Sequence, residues 1–214
     1  MVQFSLWDIF TFLLGALRWT VALSLIAFIG GGLTGMGLLL LRFTKLPGMG
    51  TAVAWYVQIF QGTPLLMQLF LVYFGLALLG MDTSPLVSAA ICLTLYASAY
   101  LTEIWRGCVN AIHKGQWEAS TSLALSYTQQ MRYVILPQAL RVAIAPTVGF
   151  LVQIIKGTAL ASVIGFVELT KAGQMISNAT YQPFLAYTFV GLMYFALCYP
   201  LSWWSQRLEN RRLA

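Results

Sequence analysis

Charge is scarce in this chain: Asp, Glu, Lys and Arg make up 8% of 214 residues, against about 25% in an ordinary soluble domain. Hydrophobic residues make up 59% and are sorted into long runs, which reads as a membrane-embedded chain. Such a composition excludes a disordered chain and a nucleic-acid module. Cysteine is scarce too. Cys92, Cys108 and Cys198 sit in or beside apolar stretches without metal-type spacing, so they exclude a disulfide scaffold and read as small buried hydrophobes. His113 is the one histidine and reads as a loop residue. No Walker A glycine loop, H-E-x-x-H or G-x-S-x-G occurs. No catalytic residues, resident metal or means of hydrolysing ATP are therefore expected within the chain.

What is present is apolar length. A bilayer core takes about 20 apolar residues per helical span. Five runs qualify: residues 19–41, 52–79, 85–105, 142–164 and 184–204. The expected fold is an all-α membrane protein with five transmembrane helices. The second run is longer than needed and is interrupted by Gly62-Thr63-Pro64. Glu103 lies near the end of the third, Lys156 within the fourth, and Trp203-Trp204 closes the fifth as an aromatic interface anchor.

The positive charges sort by side. Arg42 and Lys45 follow the first run, Arg106, Lys114, Arg132 and Arg141 lie between the third and fourth, and Arg207, Arg211 and Arg212 follow the fifth. Arg18 and Lys171 lie opposite. The positive-inside rule puts the N-terminus outside, on the periplasmic side, and the C-terminus in the cytoplasm. An odd number of spans requires the same. Residues 1–18 lack the basic start of a cleavable leader. Ser5, Asp8, Gly15 and Arg18 predict instead a short amphipathic helix lying on the outer surface. Gly31 and Gly35 form a G-x-x-x-G, which serves either packing within the chain or contact between subunits.

The cytoplasmic loop 106–141 is far longer than a simple connection between spans. Gln116 to Arg132 is helix-capable and amphipathic, with Trp117, Leu123, Leu125 and Tyr127 apolar and Glu118, Gln129 and Gln130 polar. Leu136-Pro137 is expected to end that helix. By composition the segment reads either as a solvated loop or as a docking element.

Within it, Glu118-Ala119-Ser120, then Ala124, then Val134-Ile135-Leu136-Pro137 resembles the EAA coupling loop of importer-type ATP-binding cassette (ABC) permeases. Further stretches are similar to the permease subunit of polar amino-acid uptake systems, which have the type I importer fold. These are Gly62-Thr63-Pro64-Leu65-Leu66 with Gln68-Leu69-Phe70, Tyr100-Leu101-Thr102-Glu103-Ile104-Trp105-Arg106-Gly107, Lys114-Gly115-Gln116-Trp117, Leu136-Pro137-Gln138-Ala139, and Val163 to Thr170. The resemblance covers nearly the whole chain. Departures are small: Ser120 for the second Ala, Ala124 for the loop Gly, and Val134 for Ile. Ala124 gives up glycine's freedom for positive φ. Gln61 stands where Arg is common before Gly-Thr-Pro, and Lys156-Gly157-Thr158-Ala159 replaces Lys-Asp-Thr-Ser.

The resemblance implies the membrane half of an amino-acid importer in a bacterial inner membrane. It implies a nucleotide-binding ATPase dimer carrying ATP and Mg, a second permease chain (the same or a paralogue), and a periplasmic or extracellular amino-acid-binding protein. No cofactor on this chain and no nucleic-acid partner are implied. Gly115, Gln116, Glu118, Ala119, Ser120, Ala124, Leu136 and Pro137 would couple to the ATPase; Glu118 either pairs with a basic residue there or caps its own helix. Gln61, Gly62, Thr63, Pro64, Lys156 and Thr158 would border the substrate path. Gly62-Thr63-Pro64, near the expected midplane, reads as a cavity-lining interruption or a packing kink. Lys156 reads as a charge in a polar cavity or one snorkelling outward. Glu103 and Arg106, one turn apart, read as a structural ion pair. The alternative is a self-contained secondary transporter or channel protomer, which ion gradients would drive without ATP.

Overall fold

The computed structural model describes residues 5–43 and 47–213, with no strand among them. Lys45, counted above among the inner positive charges, lies outside the described residues. The helices are α1 (Leu6–Phe43), α2 (Met49–Gly62), α3 (Leu65–Leu78), α4 (Pro85–Asn110), α5 (Lys114–Ser122), α6 (Tyr127–Gln129), α7 (Leu136–Gly157), α8 (Leu169–Thr180) and α9 (Pro183–Leu213). A π-helical turn (Gln130–Ile135) joins α6 to α7, and a 3-10 segment (Thr158–Ile164) follows α7. Among the described residues, four stretches are long and apolar enough to cross a membrane, and the bent pair α2–α3 makes a fifth if it is one span.

Helix α4 forms the centre. Ser84 caps it and Pro85 begins it, the usual pairing at a helix start. Its Ala89, Cys92, Leu93, Ala97 and Leu101 are fully buried against α1, α3 and α7. Gly31 and Gly35 of α1 let the two backbones meet, because a Cβ at either would collide with Ala97 or Ser98. The G-x-x-x-G therefore serves packing within the chain. Thr102 Oγ1 donates to the Gly35 carbonyl at 3.0 Å, and Tyr56 OH of α2 reaches the Leu95 carbonyl at 3.0 Å. Cys92, Cys108 and Cys198 are buried and form no disulfide among the described residues.

Three expectations need correction. First, residues 6–18 do not make a separate surface helix: α1 runs unbroken for 38 residues, about 57 Å at helical rise. Ile9, Leu13 and Ala16 form a stripe that packs on Leu169, Ala172 and Ile176 of α8 and on Ala186 and Val190 of α9. Protein covers the apolar side, so no bend into the interface is needed. Ser5 and Asp8 cap the helix start through reciprocal hydrogen bonds of 2.7–3.2 Å.

Second, the amphipathic helix predicted over 116–132 breaks at Leu123–Leu125, where Ala124 takes φ 56°. Third, Leu136-Pro137 starts α7 instead of ending a helix. Proline lacks only its own N–H, and the wider π turn before it accommodates the ring, while Gln138 Nε2 donates to the Val134 carbonyl at 2.8 Å. The fourth apolar run thus begins earlier than residue 142 and closes in the 3-10 segment.

Candidate functional site

The segment expected to dock is seated on packed helix ends. Val109 in the last turn of α4, Ile112 just beyond it, Met131 and Ile135 of the π turn, and Ala139 of α7 form a buried cluster against which Trp117 of α5 rests. His113, read from sequence as a plain loop residue, is the N-cap of α5 and accepts from Gly115 N–H at 3.1 Å. Glu118 lies in the second turn, so it does not cap its own helix. Glu118, Ala119 and Gln116 are exposed, Gly115 is half-buried and Ser120 is buried. Gln116 is tied to α7 through Gln138 (3.2 Å). Buried Gln130 donates to Thr121 Oγ1 (3.2 Å) and the Leu125 carbonyl (2.9 Å). An exposed carboxylate thus stands on a short helix whose other face is bolted to two long ones.

Ala124 completes the end of α5. Its N–H bonds the Thr121 carbonyl (2.9 Å) and Leu125 N–H bonds the Ser120 carbonyl (3.2 Å), the paired bonds of a Schellman cap. That geometry requires the left-handed φ, so alanine occupies a conformation that glycine adopts without cost.

At the second candidate site, α2 and α3 meet at 105° around Thr63-Pro64. The turn releases backbone carbonyls, and Gln68 captures them: its Nε2 donates to Phe60 O (2.9 Å), Thr63 O (3.0 Å) and Thr63 Oγ1 (2.8 Å). Gln68 is buried, and its Oε1 has no partner among the described residues. Gln61, Gly62, Thr63 and Pro64 are exposed. Leu65, just past the elbow, packs on Gly157 and shares that neighbour with Leu93. Leu93 lies about 12 Å into α4 from Pro85, which sets the elbow between that end of α4 and the middle of its 26 residues. Gly157, where the family pattern has Asp, leaves the room Leu65 fills.

Lys156 turns to α9. It is exposed in a recess of about 260 Å³ lined also by Tyr194, Phe195, Cys198, Tyr199 and Ser202. Thr158 is fully buried and donates to the Ile155 carbonyl (2.7 Å), so it is not brought to an open surface with Lys156. Glu103 and Arg106 do pair, and Arg42 of α1 joins them at 3.2 Å. Arg42 lies 61 positions away, beyond the reach of helical spacing.

Sequence reasoning assigned no role to Glu168. This fully buried carboxylate accepts from Thr170 N–H (2.9 Å), Lys171 N–H (2.8 Å), Tyr194 OH (2.8 Å) and Thr20 Oγ1 (3.4 Å). It caps α8 and joins α1, α8 and α9. Burial pushes its carboxyl above the ordinary range despite those donors. Its position before the polar start of α8, after an apolar run, was the available signal.

The family described as binding-protein-dependent transport system inner membrane component matches residues 49–213. The L-cystine transport system permease protein TcyB of Bacillus subtilis is 33% identical over 212 residues, 99% of this chain and 89% of that protein. The crystal structure of an amino acid ABC transporter with histidines matches with a TM-score of 0.90 at 31% identity, over 94% of each chain. Inward-facing structures of the MetNI methionine ABC transporter match with a TM-score of 0.76 at 21% identity, a likeness of fold alone.

Proposed function

Since the chain belongs to the family of binding-protein-dependent transport system inner membrane components, we propose that it is the membrane-spanning subunit of an ATP-driven amino-acid importer. The observation that carries this reading is the close fit, over nearly the full length, to a chain of an amino acid ABC transporter, joined to an exposed Glu118 on a firmly seated α5. ATP and Mg act on a separate cytoplasmic ATPase dimer. A binding protein outside delivers the ligand, and a second permease chain, identical or paralogous, supplies the other half of the path. In this reading the chain crosses the inner membrane five times, α2–α3 counting as one bent span, with the N-terminus outside.

Coupling follows from the seating of α5. An ATPase that closes on nucleotide pulls on Glu118 and its neighbours, and the cluster beneath passes that pull to α4 and α7 as a rigid-body tilt. On the far side the exposed elbow residues Gln61 to Pro64 and the Lys156 recess border the route. A lysine among tyrosine and serine hydroxyls suits the carboxylate common to amino acids.

The test is uptake of a radiolabelled amino-acid mixture into ATP-loaded proteoliposomes holding the full complex. Glu118→Arg is expected to lower ATP-driven uptake at least about tenfold while the permease remains inserted and monodisperse, since the side chain is exposed. Uptake driven by an ion gradient without ATP would overturn the importer reading, and full activity of the Arg variant would overturn the role of Glu118.

A further inference from the structure

In the half of the molecule next to α5, α1, α4 and α7 do not close on one another. Between them runs a groove of about 350 Å³ bordered by Phe28, Met36 and Leu39 of α1, Trp105 of α4, and Leu140 and Ile144 of α7. Its floor is small and apolar, with Ala139 and Ala143. The indole N–H of Trp105 is spent on Thr147 Oγ1 at 3.0 Å, which leaves the Thr147 hydroxyl as the one polar group in an otherwise apolar lining. The groove follows α7 from Leu136 to Val148, roughly 18 Å at helical rise. One leaflet of a bilayer's hydrocarbon core is about 15 Å deep.

Charge marks one mouth. Arg141 is exposed directly after Leu140, about 7.5 Å along α7 from the Leu136 end of the groove; its side chain, leaning towards the helix N-terminus, snorkels to that end, and it has no ion pair among the described residues. Arg42, one turn beyond Leu39, shares the single carboxylate of Glu103 with Arg106, leaving a net positive charge beside the groove. An apolar slot one leaflet long with guanidinium groups at its cytoplasmic mouth fits a lipid with an anionic head. We propose that this groove binds one acyl chain of an anionic phospholipid of the inner leaflet, with the phosphate held at Arg141.

The transporter with its ATPase is reconstituted in nanodiscs of mixed phosphatidylglycerol and phosphatidylcholine, transferred to mild detergent, and its retained lipid counted by native mass spectrometry. Wild type is expected to keep one phosphatidylglycerol per copy of this chain, preferred about fivefold over phosphatidylcholine, the effect of one basic residue near a charged surface. Arg141→Gln is expected to keep a lipid and lose the preference. Ala143→Phe fills the floor and is expected to lose the lipid. Leu140→Trp narrows the rim from an exposed position and checks the same point should the Phe variant fail to fold. Equal retention of both lipids by wild type, or unchanged retention in Leu140→Trp, would overturn the proposal. So would disulfide cross-linking of Leu140→Cys between two copies, which would give the groove to a second chain; the native cysteines are buried and contribute little background.

Discussion

Replacing Ala124 with glycine should tighten the end of α5. Ala124 sits at φ 56°, where a Cβ costs about 1–2 kcal/mol. The Schellman bonds of Ala124 and Leu125 hold it there. Glycine removes that cost but gives the unfolded chain more freedom, which takes back roughly 0.4–1 kcal/mol. The net gain is about 0.5–1 kcal/mol, equivalent to a two- to fivefold slowing of local opening. Hydrogen exchange of a peptide spanning residues 119–127 in nanodiscs reads it directly, because the amides of Leu123, Ala124 and Leu125 are all hydrogen-bonded in the turn. Ala124→Val should exchange faster than wild type, since a β-branched side chain tolerates this backbone less well. If the glycine variant exchanged at the wild-type rate or faster, the strain argument for this turn would fail.

Gln68→Glu should cost at least about 2 kcal/mol, because a carboxylate cannot donate to Phe60 O and Thr63 O. Gln68→Met should cost less, and thermal survival of the detergent-solubilised complex ranks the two; equal survival of both with wild type would dismiss the elbow lock. For Glu168 the folded pKa is raised by burial. Its contribution is therefore fully present below the usual glutamate value of about 4.3 and is lost as pH rises through the folded value. The apparent Tm of wild type relative to Glu168→Gln should fall with rising pH, and a flat difference would refute this. Gly31→Ala should lower stability by about 1–3 kcal/mol through overpacking against Ala97. Gly37→Ala, with nothing within 4 Å of an added Cβ, should not, and comparable Tm values for the two would contradict the packing described.

Much of the fold was legible because apolar runs specify membrane helices nearly by composition. Glu103 and Arg106 were legible from spacing, and Gly31 and Gly35 from their small size. The breaks were harder. Ala124 has every preference for helix interior, and only the carbonyls of Ser120 and Thr121 behind it impose the left-handed turn. Pro137 was read as a terminator because proline marks an edge without saying which one. Arg42 beside Glu103, and Thr20 and Tyr194 around Glu168, are pairings across distant segments, which periodicity within one helix does not encode. Gln68 was quoted within a motif, yet its task became clear only once the 105° turn exposed carbonyls for it to capture.

The continuity of α1 has a mechanical meaning. Its early turns are clasped by α8 and α9, its later turns lie along α4, and Arg42 at its end is fastened to Glu103. A strut of 38 residues without a break cannot absorb a displacement midway, so a shift at the Arg42 end must arrive near Leu13 as a swing in the opposite sense. With the pivot near Gly31, movement of about 2 Å at the Arg42 end becomes movement of similar or greater size at the other, on simple leverage along a rise of 1.5 Å per residue. The bend needed to open or shut a passage then falls to the α2–α3 elbow, leaving α1 to carry the stroke from one membrane face to the other.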